Sequence, residues 1–254
     1  MTTVKTVQSL IRAGNLLKQI SKGENRLSEL SESLKLSKGT IYRLLYTLKE
    51  LGFVFQDPVS LKYYLGPSIL NFVTNPSICH NALISSAYEQ MNYLREFTRE
   101  TVLLHIKSGS QRICIQEVES PENIRYTNGI GFVAPLYVGA AGKLLLASLE
   151  EDEIASLLNS ITLAAMTPRT ITSRRKLLQE VSRVKKQGYA TSFGERIAGA
   201  ACLSVPITNY PVPVALSILG PEYRLSRQRI EDLIEVALKS ARTISANLDF
   251  HGGA

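Results

Sequence analysis

The sequence predicts an α+β protein with a small helical unit at its N-terminus and a larger domain in which strands and helices alternate. Three observations support this prediction. Apolar side chains recur at helical spacing through residues 7–51. Two short β-like runs follow and end at a Gly66-Pro67 break. From Thr101 onward, short apolar runs typical of strands are separated by amphipathic segments typical of helices, and 254 residues are enough for two domains.

Three helices are predicted in the N-terminal unit. The first covers residues 7–20. The second covers 27–34, where Ser28 is the expected N-cap because a serine hydroxyl can accept hydrogen bonds from the amides of the first turn. The third begins after Ser37, its expected N-cap, and ends near Gly52. Its apolar stripe is expected to face the core and consists of Ile41, Leu44, Leu45, Leu48 and Leu51.

A hairpin completes the unit 1–66. Its predicted strands are residues 53–56 and 62–65, and Asp57-Pro58 begins the turn between them. Three helices followed by a hairpin are the plan of a winged helix-turn-helix, whose last helix presents its N-terminal residues to DNA bases in the major groove. The candidate DNA-binding residues are Ser37, Lys38, Gly39, Thr40, Tyr42 and Arg43 on that helix and Lys62 and Tyr63 on the wing.

Basic residues are concentrated in this unit. Residues 1–66 carry ten Lys and Arg against five Asp and Glu, whereas the remainder carries 19 against 17. Because phosphate contacts supply most non-specific nucleic-acid affinity, this distribution favours double-stranded DNA as a partner. Two alternatives stay open at this point. The surface could be merely basic, or the helical unit could bind a protein partner.

A helical linker, 67–100, is predicted to join this unit to a second domain, 101–254. The linker pattern is interrupted at Asn75-Pro76. In the second domain the alternating apolar runs predict strands, and the amphipathic segments predict helices. The predicted strands are 101–107, 112–118, 201–207 and 212–219, and the predicted helices are 142–149, 151–158, 173–187 and 226–248.

Several classes of protein are not favoured by the sequence. No apolar run approaches the roughly 20 residues of a membrane span. Three cysteines are too few for a disulfide framework, so we expect a cytoplasmic protein. Cys79-His80 has no second pair, and neither a metal nor a cofactor is expected. No phosphate-binding loop, dinucleotide fingerprint or nucleophile elbow is present, so an enzyme with Cys202 as nucleophile is only a rival reading.

Several segments together resemble the IclR family (isocitrate lyase regulator type) of bacterial transcription regulators. Residues 39–45 are similar to that family's recognition-helix pattern, and Tyr64-Leu65-Gly66 resembles the end of its wing. The C-terminal matches follow in the expected order along the chain. They resemble the family's ligand loop (135–143), its signature segment (188–195 and 199–207) and its last core strand (215–221).

The resemblance implies a fold and a function. The second domain is expected to be a GAF/PAS-like α/β effector-binding domain, with a mainly antiparallel sheet flanked by helices. The implied partners are a DNA operator, a small-molecule effector, for which we predict a carboxylic acid, and further copies of the chain in a homodimer or a dimer of dimers. The alternative is a ligand-sensing module that acts through protein partners.

The effector pocket is assigned by the same resemblance. Its expected residues are Leu136, Ala140, Ala141, Ser192, Ala200, Cys202, Ser217 and Leu219. Backbone amides at Gly139 to Gly142 could hold a carboxylate at the start of a helix, or the small residues could merely allow tight packing. Because Ser192 and Leu219 make the pocket less polar than that of members with small-acid effectors, we expect a larger or more apolar acid, such as an aromatic carboxylate.

Overall fold

The computed structural model describes residues 6–69 and 80–248, which belong to two compact units divided between residues 79 and 80. In the first unit, described over 6–69, three helices precede a two-stranded antiparallel hairpin. The elements are α1 (Gln8–Ser21), α2 (Leu27–Ser33), α3 (Lys38–Glu50), β1 (Val54–Gln56) and β2 (Tyr63–Leu65). This order confirms the predicted winged helix-turn-helix.

The ends of α2 and α3 are capped in different ways. Ser37 accepts a hydrogen bond from the Thr40 amide at 3.2 Å, as predicted. Ser28 is not an N-cap, because α2 already begins at Leu27. The Glu29 carboxylate accepts from the Arg26 amide at 3.0 Å instead, so a carboxylate one turn into the helix takes the place of the expected serine hydroxyl.

The second unit is built on a six-stranded antiparallel sheet within the described residues, with the strand order β5-β4-β3-β8-β7-β6. Its strands are β3 (Thr101–Ser108), β4 (Gln111–Val118), β5 (Val133–Pro135), β6 (Ala190–Phe193), β7 (Ala200–Ile207) and β8 (Val214–Pro221). Its helices are α4 (Asn81–Thr98), α5 (Gly139–Ala147), α6 (Glu151–Ser160), α7 (Arg174–Gln187) and α8 (Arg227–Asn247).

Helices cover both faces of this sheet. Helices α4 and α8 pack on one face, against alternate residues of the central strands such as Leu104 and Leu203. Helix α5 packs on the other face and is covered by α7. Because side chains alternate along a strand, Ala200, Cys202, Ser217 and Leu219 all point to the α5 side.

Several predicted boundaries shift in the second unit. Helix α4, which the sequence assigns to the linker 67–100, buries Leu83, Met91 and Leu94 in the core of this unit. The predicted interruption at Asn75-Pro76 lies outside the described residues. Helix α5 begins at Gly139 and not at residue 142, and the short edge strands β5 and β6 were not predicted. No helix in the described ranges is both long and apolar enough to cross a membrane.

Candidate functional site

The N-terminal end of α3 presents a polar and basic surface. Ser37, Lys38, Gly39, Tyr42 and Arg43 are exposed and Thr40 is half-buried, whereas Ile41, Leu45 and Leu48 are buried on the opposite face. The sequence reasoning missed Tyr46, which is exposed one turn after Tyr42 and therefore lies on the same face of α3. The fold thus brings the predicted helix residues together on one accessible surface.

The wing requires a correction, because Tyr63 is only 6% exposed and packs in the core of the first unit. Its amide donates to the Asn25 carbonyl at 2.8 Å, and burial raises the pKa of its phenol. Predicting Tyr63 as a DNA contact was therefore wrong. Its neighbour Tyr64 is exposed, since adjacent strand residues point to opposite faces, and Lys62 is half-buried.

This correction has a testable consequence. Tyr63→Ala is expected to destabilise the full-length protein by about 3 kcal/mol, because it removes a large buried ring. Tyr64→Ala should leave stability within about 0.5 kcal/mol of wild type, since its side chain is exposed. Urea denaturation of both variants measures the difference. Equal losses of stability would contradict the assignment of Tyr63 to the core.

A small cavity lies on the α5 side of the sheet in the second unit. We call it the α5 cavity; its volume open to the centre of a water molecule is about 40 Å³. Strand residues, the first turn of α5 and the segment after β6 surround it. The lining residues are Leu103, His105, Arg112, Asn128, Gly139, Ala140, Ala141, Ser192, Glu195, Arg196, Ile197, Ala200, Cys202 and Leu219.

The first turn of α5 contributes backbone amides to the cavity. No side chain caps this helix at Val138. Gly139 has φ of 76°, a conformation that favours glycine, and its amide donates to the Glu195 carboxylate at 3.0 Å. The amides of Ala140 and Ala141 follow in the first turn, where amides have no acceptor within the helix and the helix dipole is positive. This end of α5 is therefore suited to an anion.

Arg112 extends from β4 to the same end of α5. It is 4% exposed, and its Nη1 donates to the carbonyls of Pro135 and Val138 at 2.7 and 2.8 Å. Its Nε is buried and has no hydrogen-bond partner among the described residues. Burial lowers the pKa of Arg112 to about 10, and the positive charge of Arg196 acts in the same direction. Gly142 has no side chain, and a Cβ there would lie 2.4 Å from the Leu136 carbonyl oxygen and 2.9 Å from Arg112 Nη1, so glycine allows both groups to approach α5.

Arg196, Asn128 and His105 complete the polar part of the wall. Arg196 donates from Nη2 to Asn128 Oδ1 at 2.5 Å, and its guanidinium lies 4.9 Å from the centre of the Phe132 ring. His105 is buried, and its Nδ1 has no partner within the described part of the chain. Burial, reinforced by Arg112, lowers the pKa of His105 well below its usual range, so the imidazole is neutral at pH 7.

The one carboxylate of the wall is already paired. Glu195 accepts from Lys143 Nζ at 2.5 Å, and Lys143 in turn contacts Glu180 at 3.2 Å. Arg183 contacts Glu180 at 2.6 Å, so these two acids and two bases balance each other. Arg112 and Arg196 therefore bring two positive charges to the cavity, and neither forms an ion pair within residues 80–248.

Comparison with known proteins identifies both units. Residues 9–58 match the model of the IclR helix-turn-helix domain, and residues 77–246 match that of the bacterial transcriptional regulator IclR C-terminal domain. The chain belongs to the IclR family. It is therefore a DNA-binding transcriptional regulator with an effector-binding domain and not an enzyme, as the sequence predicted.

Similar proteins of this family match along almost the whole chain. The HTH-type transcriptional regulator KdgR of Escherichia coli is 35% identical over 252 residues, covering 97% of this chain and 94% of that protein. The HTH-type transcriptional repressor AllR of Salmonella typhi is 30% identical over 251 residues, covering 97% and 92%. The crystal structure of the Thermotoga maritima IclR aligns with a TM-score of 0.64 at 30% identity, covering 96% of this chain and 99% of that chain.

The structure places six of the eight pocket residues expected from the IclR resemblance around the α5 cavity. These are Ala140, Ala141, Ser192, Ala200, Cys202 and Leu219. Leu136 does not line it, because its side chain is fully buried in the core around α5. Ser217 does not line it either, since its hydroxyl is fully buried and lies 2.8 Å from that of Ser204. Burial raises the pKa of the Cys202 thiol, which gives the rival nucleophile reading no support.

The cavity contains more polar side chains than the residues assigned by the resemblance indicated. Arg112, Arg196, Asn128 and His105 line the cavity, and none of them was predicted to do so. One signal was available for Arg112, because it is a charged residue at the start of the otherwise apolar run 112–115 of a predicted strand. Arg196 offered no such signal, since a charged residue in a glycine-rich loop is ordinary.

Proposed function

We propose that a small carboxylate bound in the α5 cavity controls how tightly this regulator binds its operator. The observation that carries this proposal is the buried guanidinium of Arg112, whose Nε is unpartnered beside the start of α5. A buried charge without a counter-ion is costly, and arginine binds carboxylates through paired hydrogen bonds. The amides of Ala140 and Ala141 would supply further donors.

The dimensions of the cavity restrict the effector. The space open to the centre of a water molecule is small, about 40 Å³, so we propose a compact acid in place of the aromatic carboxylate that the sequence suggested. The carbon chain of the effector would pack against the wall formed by Ser192, Ala200, Cys202 and Leu219. We propose these residues, with Ala140, Ala141, Arg112 and Arg196, as the effector site.

The proposed operator contacts lie on α3 and the wing. The N-terminal residues of α3 would face base edges, and Ser37, Thr40 and Arg43 could contact either bases or phosphates. Tyr64 replaces Tyr63 beside Lys62 on the wing, and Tyr46 extends the surface of α3. Chromosomal DNA as the partner is consistent with a cytoplasmic location.

A homodimer is proposed because one recognition helix reads too few base pairs for specific binding. Two exposed aromatic side chains on α4, Tyr93 and Phe97, offer an apolar surface for a second copy, and their rings stack with centroids 6.0 Å apart. Two such dimers would form the tetramer that we propose.

Effector binding would then shift the spacing of the paired recognition helices, and so change the affinity for the operator.

Arg43→Ala tests the DNA-binding half of this proposal. We expect the affinity of this variant for the DNA upstream of its own gene to fall roughly 10-fold or more. One base or phosphate contact is lost, and such a contact contributes about 1–3 kcal/mol to the binding free energy. Lys49→Ala, in the last turn of the same helix, is the matched control and should change affinity much less. Binding curves across a salt series measure both. A folded Arg43→Ala protein with unchanged affinity would instead favour the reading in which the unit binds a protein partner.

A further inference from the structure

We propose that the effector is a short dicarboxylate, whose first carboxylate binds Arg112 and the start of α5 and whose second binds Arg196. This inference rests on the proposed function, since it extends carboxylate binding at Arg112 to a second point. It assigns to Arg196 the role of selecting dicarboxylates over monocarboxylates.

The charge around the cavity favours two negative groups. Arg112 and Arg196 both line it, while the charge of Glu195 is balanced by Lys143. His105 is neutral at pH 7, and burial keeps the thiols of Cys114 and Cys202 protonated. A monocarboxylate would therefore leave one guanidinium without a counter-ion in a partly desolvated site, whereas a dicarboxylate would neutralise both.

The two arginines reach the cavity from different elements. Arg112 belongs to β4, and Arg196 belongs to the segment between β6 and β7. Both arginines line the same cavity, and the charge of Arg196 lowers the pKa of Arg112 and of His105. Because the cavity is small, a short carbon chain is enough for one molecule to contact both guanidinium groups.

The present partner of Arg196 is a weak one for a guanidinium. Its Nη2 donates to the neutral side-chain oxygen of Asn128. The Glu117 carboxylate fixes the backbone at Asn128, because it accepts from the backbone amides of Asn128 and Gly129 at 3.1 and 2.6 Å. A ligand carboxylate would add the attraction of an opposite charge to its hydrogen bond with Arg196, which the neutral Asn128 oxygen does not supply. The second carboxylate can therefore replace Asn128 as the partner.

The test compares acids that differ by one charge. Calorimetric titration of the full-length protein with malonate and succinate, and with monomethyl succinate as the matched monoanion, measures the preference. We expect a dicarboxylate to bind on the order of 10-fold tighter than the monoester, because a hydrogen-bonded charge is added. Arg196→Gln should lower this ratio to near one, because it weakens binding of the dicarboxylate much more than binding of the monoester. Arg196→Lys should retain part of the preference, and Arg175→Gln, at an exposed position on α7, should retain all of it.

The outcomes separate this inference from the proposed function. Equal binding of succinate and its monoester, or a preference that survives Arg196→Gln, overturns the dicarboxylate assignment. If the dicarboxylate assignment fails in this way but Arg112→Gln no longer binds the monoester, the proposed carboxylate site at Arg112 is still supported. Tighter binding of inorganic phosphate than of malonate and succinate also overturns the dicarboxylate. If no acid binds at all, both proposals fail.

Discussion

Arg112→Gln is expected to weaken carboxylate binding by 30-fold or more, because truncating one partner of a buried charged pair costs about 2–5 kcal/mol. The variant loses the positive charge at the wall of the α5 cavity and the buried, unpartnered Nε donor. It keeps a side-chain amide that can still donate to the carbonyl of Pro135 or Val138, which Arg112 contacts from Nη1. Calorimetric titration of wild type and variant with the same acid measures the loss.

Two controls make this result specific. Thermal unfolding without ligand should be similar for the two proteins, because the cost of burying an uncompensated charge offsets the hydrogen bonds that Arg112 donates. With saturating acid, only wild type should gain stability, since binding to the folded state alone raises the free energy of unfolding. Unchanged affinity in a folded Arg112→Gln protein would mean that the carboxylate does not depend on this guanidinium.

Lys143→Met should destabilise the second unit by about 3–5 kcal/mol, the cost of removing one partner from a buried ion pair. Lys143 is 1% exposed and contacts both Glu195 and Glu180. Without it, the Glu195 carboxylate stays buried with only the Gly139 amide and no cation in contact within the described chain. Urea denaturation followed by circular dichroism measures the loss, and tyrosine fluorescence is a second probe, because the sequence has no tryptophan.

A double variant separates charge from packing at this position. Lys143→Met combined with Glu195→Gln should recover part of the lost stability, since no carboxylate then remains unpaired in contact with the methionine. Lys186→Met, at an exposed position on α7, should change stability by no more than about 0.5 kcal/mol. A loss below about 1 kcal/mol for Lys143→Met would show that water or a side chain replaces the missing cation.

Local features of this fold were predictable because they depend on neighbours in the chain. The Ser37 cap, the apolar stripe of α3 and the alternation along β3, β7 and β8 follow from the spacing of residues a few positions apart. Tyr63 was assigned to the wrong face because a strand of three residues offers too few alternations to fix its orientation. The same shortness concealed β5 and β6, which lie at the edges of the sheet.

The cavity was harder to predict because its polar contacts are distant in sequence. Arg112 meets the carbonyl of Val138 26 positions later, and Arg196 meets Asn128 68 positions earlier. Such pairs depend on how β4, α5 and the segment after β6 converge, which no local pattern encodes. The small residues at 139–142 were also considered as a means of tight packing, and this alternative was partly right. Gly142 leaves room for the Leu136 carbonyl and for Arg112, and the Gly139 amide donates to Glu195.

The central claim is that a carboxylate in the α5 cavity changes operator affinity. The most direct test measures binding of the full-length protein to the DNA upstream of its own gene, at fixed salt, while the tightest-binding acid is titrated. We predict a change of about 5-fold or more in wild type, the lower end of ordinary allosteric coupling, and no change in Arg112→Gln. An acid that saturates the cavity yet leaves the operator affinity of wild type unchanged would contradict the account.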